Sequence, residues 1–191
     1  MLALKCFALV LAMLLSSSQN AAADVCPTPP AAAAFSMDNL AGEWYEIGKV
    51  QTKGGALIEG DCVCTKLVYD PVDDEHASVA NICHDTTPDG KLKVANATIE
   101  QVDEVGAFEE RFCPSCPAVS YTIVELDNNS MVEFDCTANV RGALQYCFHI
   151  MSREPTMASS TLESLQSLMD EYGLNPYSLD WKNTNQTGCG W

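Results

Sequence analysis

Three groups of residues in this chain have the types and spacing that could do chemistry. Cys113-Pro114-Ser115-Cys116 is a C-x-x-C, the spacing used in thiol–disulfide exchange and in zinc sites. Cys147 and His149 lie two apart, so on a strand a thiol and an imidazole share one face. Glu46 could join His149 in orienting a polar headgroup, or the two could be no more than a satisfied pair. Against redox chemistry, C-x-x-C thiols are activated at helix N-termini, and here both flanks read as strands. Against zinc, the pair would need Cys83-His84 or His76 as partners, and strong zinc signals show two short-spaced ligand pairs. No Ser/His/Asp arrangement, no carboxylate pair of defined spacing and no phosphate-binding glycine loop stands out. No catalytic residue, cofactor or metal is expected.

The positioning frame follows from composition. The chain has 191 residues, 26 Asp plus Glu against 10 Lys plus Arg, and ten cysteines. A formal charge of −16 excludes a nucleic-acid binder, since phosphate affinity is built on Lys and Arg that displace counterions. Met1–Lys5 is a short basic region, Cys6–Leu15 is uninterruptedly apolar, and Ala21-Ala22-Ala23 supplies small residues before Asp24. This reads as a secretory signal peptide over residues 1–23, with a single domain over 24–191. Its removal takes Lys5 and Cys6, leaving nine cysteines and a charge of −17. No second apolar run approaches the length of a transmembrane helix. Secreted, extracellular protein and oxidised cysteines are the expectation. Sequons at Asn96, Asn128 and Asn185 are candidate glycosylation sites.

After a Pro/Ala-rich tether from Asp24 to Phe35, eight short runs read as strands. They are Trp44–Val50, Cys62–Asp70, Ala77–Cys83, Lys91–Glu100, Ala107–Cys113, Ala118–Leu126, Met131–Cys136 and Ala143–Ser152. Their even spacing points to an antiparallel sandwich or barrel. Leu162, Leu165, Leu168, Met169 and Tyr172 then form a helical stripe, with Ser160 and Glu163 as a capping box and Gly173 as its end.

Gly42-Glu43-Trp44-Tyr45, preceded by Phe35 and Leu40, resembles the G-x-W signature of the lipocalins. Ile150-Met151-Ser152-Arg153-Glu154-Pro155, followed by a helix, resembles their third signature. Cys26-Pro27-Thr28-Pro29-Pro30, Gly60-Asp61-Cys62 and Cys189 are similar to the apolipoprotein D and bilin-binding branch. The middle signature departs, reading Leu126-Asp127-Asn128 in place of T-D-Y. The resemblance implies an all-β, eight-stranded antiparallel up-and-down barrel with one C-terminal α-helix packed outside.

It also implies a Trp44–Arg153 stack beside Gly42 across a closed base, a structural contact that makes the barrel a cup with one mouth. With Trp44 and Arg153 inward, alternation sends Glu46, Gly48 and Val50, and Gln145, Cys147, His149 and Met151, inward too. The family likeness implies disulfides Cys26–Cys136 and Cys62–Cys189. Cys62 then points outward, leaving Val63, Thr65, Leu67 and Tyr69 inward, and the likeness adds Tyr121 and Ile123. The expected ligand contacts are Glu46, Val50, Val63, Leu67, Tyr69, Tyr121, Ile123, Cys147, His149 and Met151, mostly apolar and aromatic. A barrel filled by its own side chains is the alternative. The mouth is assigned to loops 51–60, 84–90, 114–117 and 137–142, with Gly54–Ile58 suited to a lid.

Register adds a third bridge: if the 71–76 turn joins Asp70 to Ala77, Cys64 lies opposite Cys83. Cys113–Cys116 would then leave Cys147 as an inward thiol, and Cys116–Cys147 is the rival. The chain thus reads as a secreted carrier of a small hydrophobic molecule (lipid, fatty acid, sterol, retinoid, carotenoid or bilin), not an enzyme. The rivals are an isomerase or de-epoxidase using Cys147 and His149, and a filled barrel that contacts proteins. A homo-oligomer or receptor contact stays open.

Overall fold

Runs in which β-branched and aromatic residues alternate with polar ones become strands, and all eight expected runs do so. They are β1 (Gly42–Gln51), β2 (Cys62–Pro71), β3 (His76–Asp85), β4 (Leu92–Gln101), β5 (Ala107–Arg111), β6 (Val119–Leu126), β7 (Ser130–Ala138) and β8 (Leu144–Ser152). The computed structural model describes residues 25–56, 59–102 and 104–191. The expected signal peptide, residues 1–23, and the lid residues Leu57 and Ile58 lie outside the described residues. Each strand pairs antiparallel with the next, and β1 pairs with both β8 and β2, so the sheet closes into a barrel. No helix among the described residues is long and apolar enough to cross a membrane.

The base is built around Trp44. A one-turn helix, α1 (Met37–Leu40), is capped by the Ser36 hydroxyl. The Leu40 carbonyl accepts the Trp44 indole N–H at 2.7 Å. The Arg153 guanidinium lies 3.6 Å from the Trp44 ring centroid and donates to the Glu43 and Asn39 carbonyls. Gly42 is needed here because its φ of +92° is a left-handed conformation and the guanidinium lies against its open side. Above this floor Leu67, Val79, Ile99, Phe108, Ile123 and Met131 fill the lower half of the barrel.

Outside, α2 (Ser159–Glu171) lays Leu165 and Met169 over Val124, Val132, Phe134, Phe148 and Ile150. The expected capping box is corrected. The N-cap is Ala158, which has no side chain to offer, and Ser160 lies inside the first turn. Gly173 ends the helix as expected, with φ +64° and its N–H on the Asp170 carbonyl.

β1 and β2 part company beyond Tyr45 and Lys66, and the tail fills the gap. A two-residue strand, β9 (Lys182–Asn183), pairs with β1 at Gly48 and Lys49. Gln186 then spans the seam, its amide donating to the Glu46 carbonyl at 2.9 Å and the Thr65 carbonyl at 2.7 Å. Gly48 lets Trp181 and Lys182 press against the strand, since a Cβ there would overlap both.

Two bridges differ from expectation. Cys26–Cys136 and Cys113–Cys116 are formed, but Cys62 pairs with Cys83 and Cys64 with Cys189. Cys62–Cys189 and Cys64–Cys83 are therefore corrected. The turn joins Pro71, not Asp70, to Ala77, and β2 has a bulge between Val63 and Lys66. Cys64 sits in it with φ +53° and turns to the tail, where its N–H meets the Asn185 carbonyl at 2.8 Å. Non-reducing peptide mapping is expected to return these pairs, and Cys189→Ser to cost about 2–4 kcal/mol in urea unfolding. Recovery of a Cys62–Cys189 peptide would overturn the assignment.

Candidate ligand-binding site

The upper half of the barrel is hollow. A cavity of about 330 Å³ opens beneath the loop at Gly54, Ala56 and Glu59, in the size range of small-molecule sites. Phe112, just after β5, and Val119 of β6 give it an apolar side, with Tyr121 below. β7 supplies Glu133 and Asp135, β5 adds Glu110, and β3 adds Asn81. A narrow recess of about 20 Å³ continues down to Glu46, Thr65, Leu67 and Met151.

Of the ten expected ligand contacts, Tyr121 and His149 line the main cavity, and Glu46, Leu67, His149 and Met151 line the recess. Tyr69 and Ile123 face inward but belong to the packed lower half. Two are corrected. Val50 faces outward under the helix, because β1 is bulged between Glu46 and Gly48 and every later side chain changes face. Gly48 turns out with it, and Lys49 turns in. Val63 is turned outward by the β2 bulge. It pairs with His84, whose ring lies 6.1 Å from Trp191 outside the wall. Cys147 is fully buried and does not line the cavity, so it too is corrected as a ligand contact. Loop residue Gly55 packs against the backbone of Tyr146 and Cys147.

Beneath the cavity is a compensated ionic floor. Glu46, with no exposed surface, accepts from His149 Nδ1 at 2.6 Å, from Lys49 at 3.4 Å and from the Thr184 hydroxyl. Burial alone would raise its carboxyl, but Lys49, His149 and Thr184 hold it down at about 2. Burial also opposes charge on His149, yet Cys147 and Glu46 raise it well above the usual imidazole range. Lys49 reaches Glu59 as well, at 3.6 Å.

The wall above is different. Burial raises Glu133 to about 8, with Glu110, Glu59 and Asp135 adding to it against the pull of His149. Burial likewise puts Glu110 at about 7 and Asp135 at about 6. Glu133 accepts from the Tyr69 hydroxyl at 3.3 Å and Glu110 from Asn81 at 3.1 Å. These acids, with Lys49, Glu59 and Asn81, were missed in the sequence, where an apolar lining was expected. The expected lining gains four acids, Glu59, Glu110, Glu133 and Asp135, beside its apolar surface.

The zinc set built on Cys113, Cys116 and Cys83 has no thiol to offer, all three being in disulfides. Asp135, Cys147 and His149 converge within 4.8 Å, as do Glu46, Glu59 and His149, and either set has the chemistry to hold a cation. Cys147 Sγ lies 2.9 Å from His149 Nε2, so Cys147, His149 and Glu46 form a thiol–imidazole–carboxylate chain. Burial pushes the thiol up to about 11, away from a nucleophilic thiolate.

A barrel closed below, open above and flanked by one helix is matched by a family model. The lipocalin-like domain matches residues 35–184. The chain is a lipocalin. Among solved structures, insecticyanin from the tobacco hornworm Manduca sexta is similar to it with a TM-score of 0.70 and 18% identity, covering 87% of this chain and 90% of that one. Lobster apocrustacyanin A1 gives a TM-score of 0.62 at 16% identity, covering 78% of each chain. Apocrustacyanin C2 gives 0.60 at 16%, covering 84% of this lipocalin and 90% of that chain. At these identities the likeness is one of fold.

Proposed function

We propose that this lipocalin carries a small organic molecule in the upper half of its barrel and does not convert it. The cavity is the observation that supports this: about 330 Å³, floored by packed side chains and by the Trp44–Arg153 contact, with its mouth beneath a loop. Phe112, Val119 and Ala56 offer an apolar cargo surface to bury, at about 25 cal/mol per Å². The hydrophobic cargo is one that also carries polar groups, since four acids, Glu59, Glu110, Glu133 and Asp135, stand in the lining. The Cys147–His149–Glu46 chain favours a second reading, a lipocalin-fold enzyme, but its thiol is covered and does not meet the cavity.

Secretion is part of the proposal. Four disulfides suit an oxidising compartment, and Asn96, Asn128 and Asn185 are exposed where a glycan would need them. Titration with the neutral dye N-phenyl-1-naphthylamine is expected to give saturable, single-site fluorescence enhancement. Val119→Trp, which fills the apolar side, is expected to weaken it by about 10-fold. A folded protein that binds no dye would sink the carrier reading.

A further inference from the structure

The three wall carboxylates feel His149 at a distance but have no salt bridge of their own. Among the described residues, Lys49 and His149 are the cations that reach the interior, and both are engaged with Glu46 and Glu59. Glu110, Glu133 and Asp135 have no ion pair within 4 Å, yet all three line the cavity. Uncompensated carboxylates held away from bulk water are costly. A second, independent feature lies beside them. Tyr121 is 4% exposed and lines the same cavity, and its hydroxyl has no hydrogen-bond partner among the described residues. A buried hydroxyl without a partner is likewise costly. Both features ask for a hydrogen-bond-donating cation at one place.

We propose that the cavity selects an organic cation, a protonated amine on a ring-sized apolar body. The ammonium sits among Glu110, Glu133 and Asp135 and donates to the Tyr121 hydroxyl, while the apolar body lies against Phe112 and Val119. A metal ion fits the space less well. Among the described residues, the side-chain groups that converge tightly enough to ligate one all use His149, and neither Glu110 nor Glu133 belongs to them. A cavity of about 330 Å³ with an apolar side also exceeds what a bare ion fills. This inference rests on the carrier reading and names the cargo class for the same cavity.

The test is a calorimetric series on the intact protein near neutral pH, with three indoles of similar size and different charge. Tryptamine is expected to bind about 10- to 100-fold more tightly than indole-3-ethanol, the gain from a charge-assisted contact. Indole-3-propionate is expected to bind more weakly than either. In the double variant Glu133→Gln/Asp135→Asn the ratio of tryptamine to indole-3-ethanol affinity should collapse toward one. Equal affinity for the amine and the alcohol overturns the proposal, as does preference for the carboxylate or a ratio that survives the double variant. So does failure of all three indoles where N-phenyl-1-naphthylamine binds. Failure of the dye itself overturns the carrier reading beneath it.

Discussion

Glu46→Gln is expected to lower the free energy of unfolding by about 3–5 kcal/mol at neutral pH, the usual cost of removing one partner of a buried ion pair. The carboxylate has no exposed surface and is shared by His149, Lys49 and Thr184. Its loss leaves two buried cations with Glu59 as their nearest acid. For a domain of this size the melting temperature should fall by about 6–20 °C. The sign with pH follows from the carboxyl's position at about 2, below the ordinary value. Its stabilisation is present above the unfolded value near 4.5 and is lost as pH falls through about 2. Wild type and variant should therefore converge in acid. Urea unfolding at neutral pH that separates them by less than about 1 kcal/mol would contradict a buried, shared charge.

The ligand-free protein is expected to be more stable near pH 5 than near pH 8. Glu133 at about 8, Glu110 at about 7 and Asp135 at about 6 all hold protons more tightly folded than unfolded. Stability from such groups is present at low pH and declines as pH rises from the unfolded carboxylate values, near 4, through the folded ones. His149, raised for a different reason, acts in the same direction above its unfolded value. The groups facing these acids from neighbouring strands and the loop are Glu59, Tyr69, Tyr121, Lys49 and His149, and none of them reverses the sign. Water in the cavity tempers the effect, so we expect a loss of about 3 kcal/mol between pH 5 and 8. That corresponds to a melting temperature lower by about 6–12 °C. Most acids of the −16 surface are already ionised at pH 5, so general self-repulsion does not mimic it. Glu133→Gln should flatten the slope. A melting temperature that rises from pH 5 to 8 would show that the wall acids are not held protonated.

The barrel was legible because its evidence is local. Alternation along Thr65, Leu67 and Tyr69 and along His149 and Met151 placed these residues inward, the family likeness placed Tyr121 and Ile123, and the signatures placed Trp44 and Arg153. Bulges were not legible, and one extra residue in β1 and one in β2 reversed Val50 and Val63 and exchanged the partners of Cys62 and Cys64. The acids were hidden for a subtler reason. On β7 the apolar residues Val132 and Phe134 face the helix outside, so the inner face falls to Glu133 and Asp135. Where a helix covers the outer wall, apolar residues no longer mark the inside. Glu110 hid between Phe108 and Phe112, which share its face and gave no sign that an acid lay among them.

The parting of β1 and β2 has a consequence for how the container is made. One stave of its wall comes from residues 182–189, which reach the growing protein after every barrel strand has left the ribosome. Until that segment emerges and Cys189 meets Cys64, the interior is open from the side as well as from the top. The vessel's wall is therefore completed by a segment made after all eight strands.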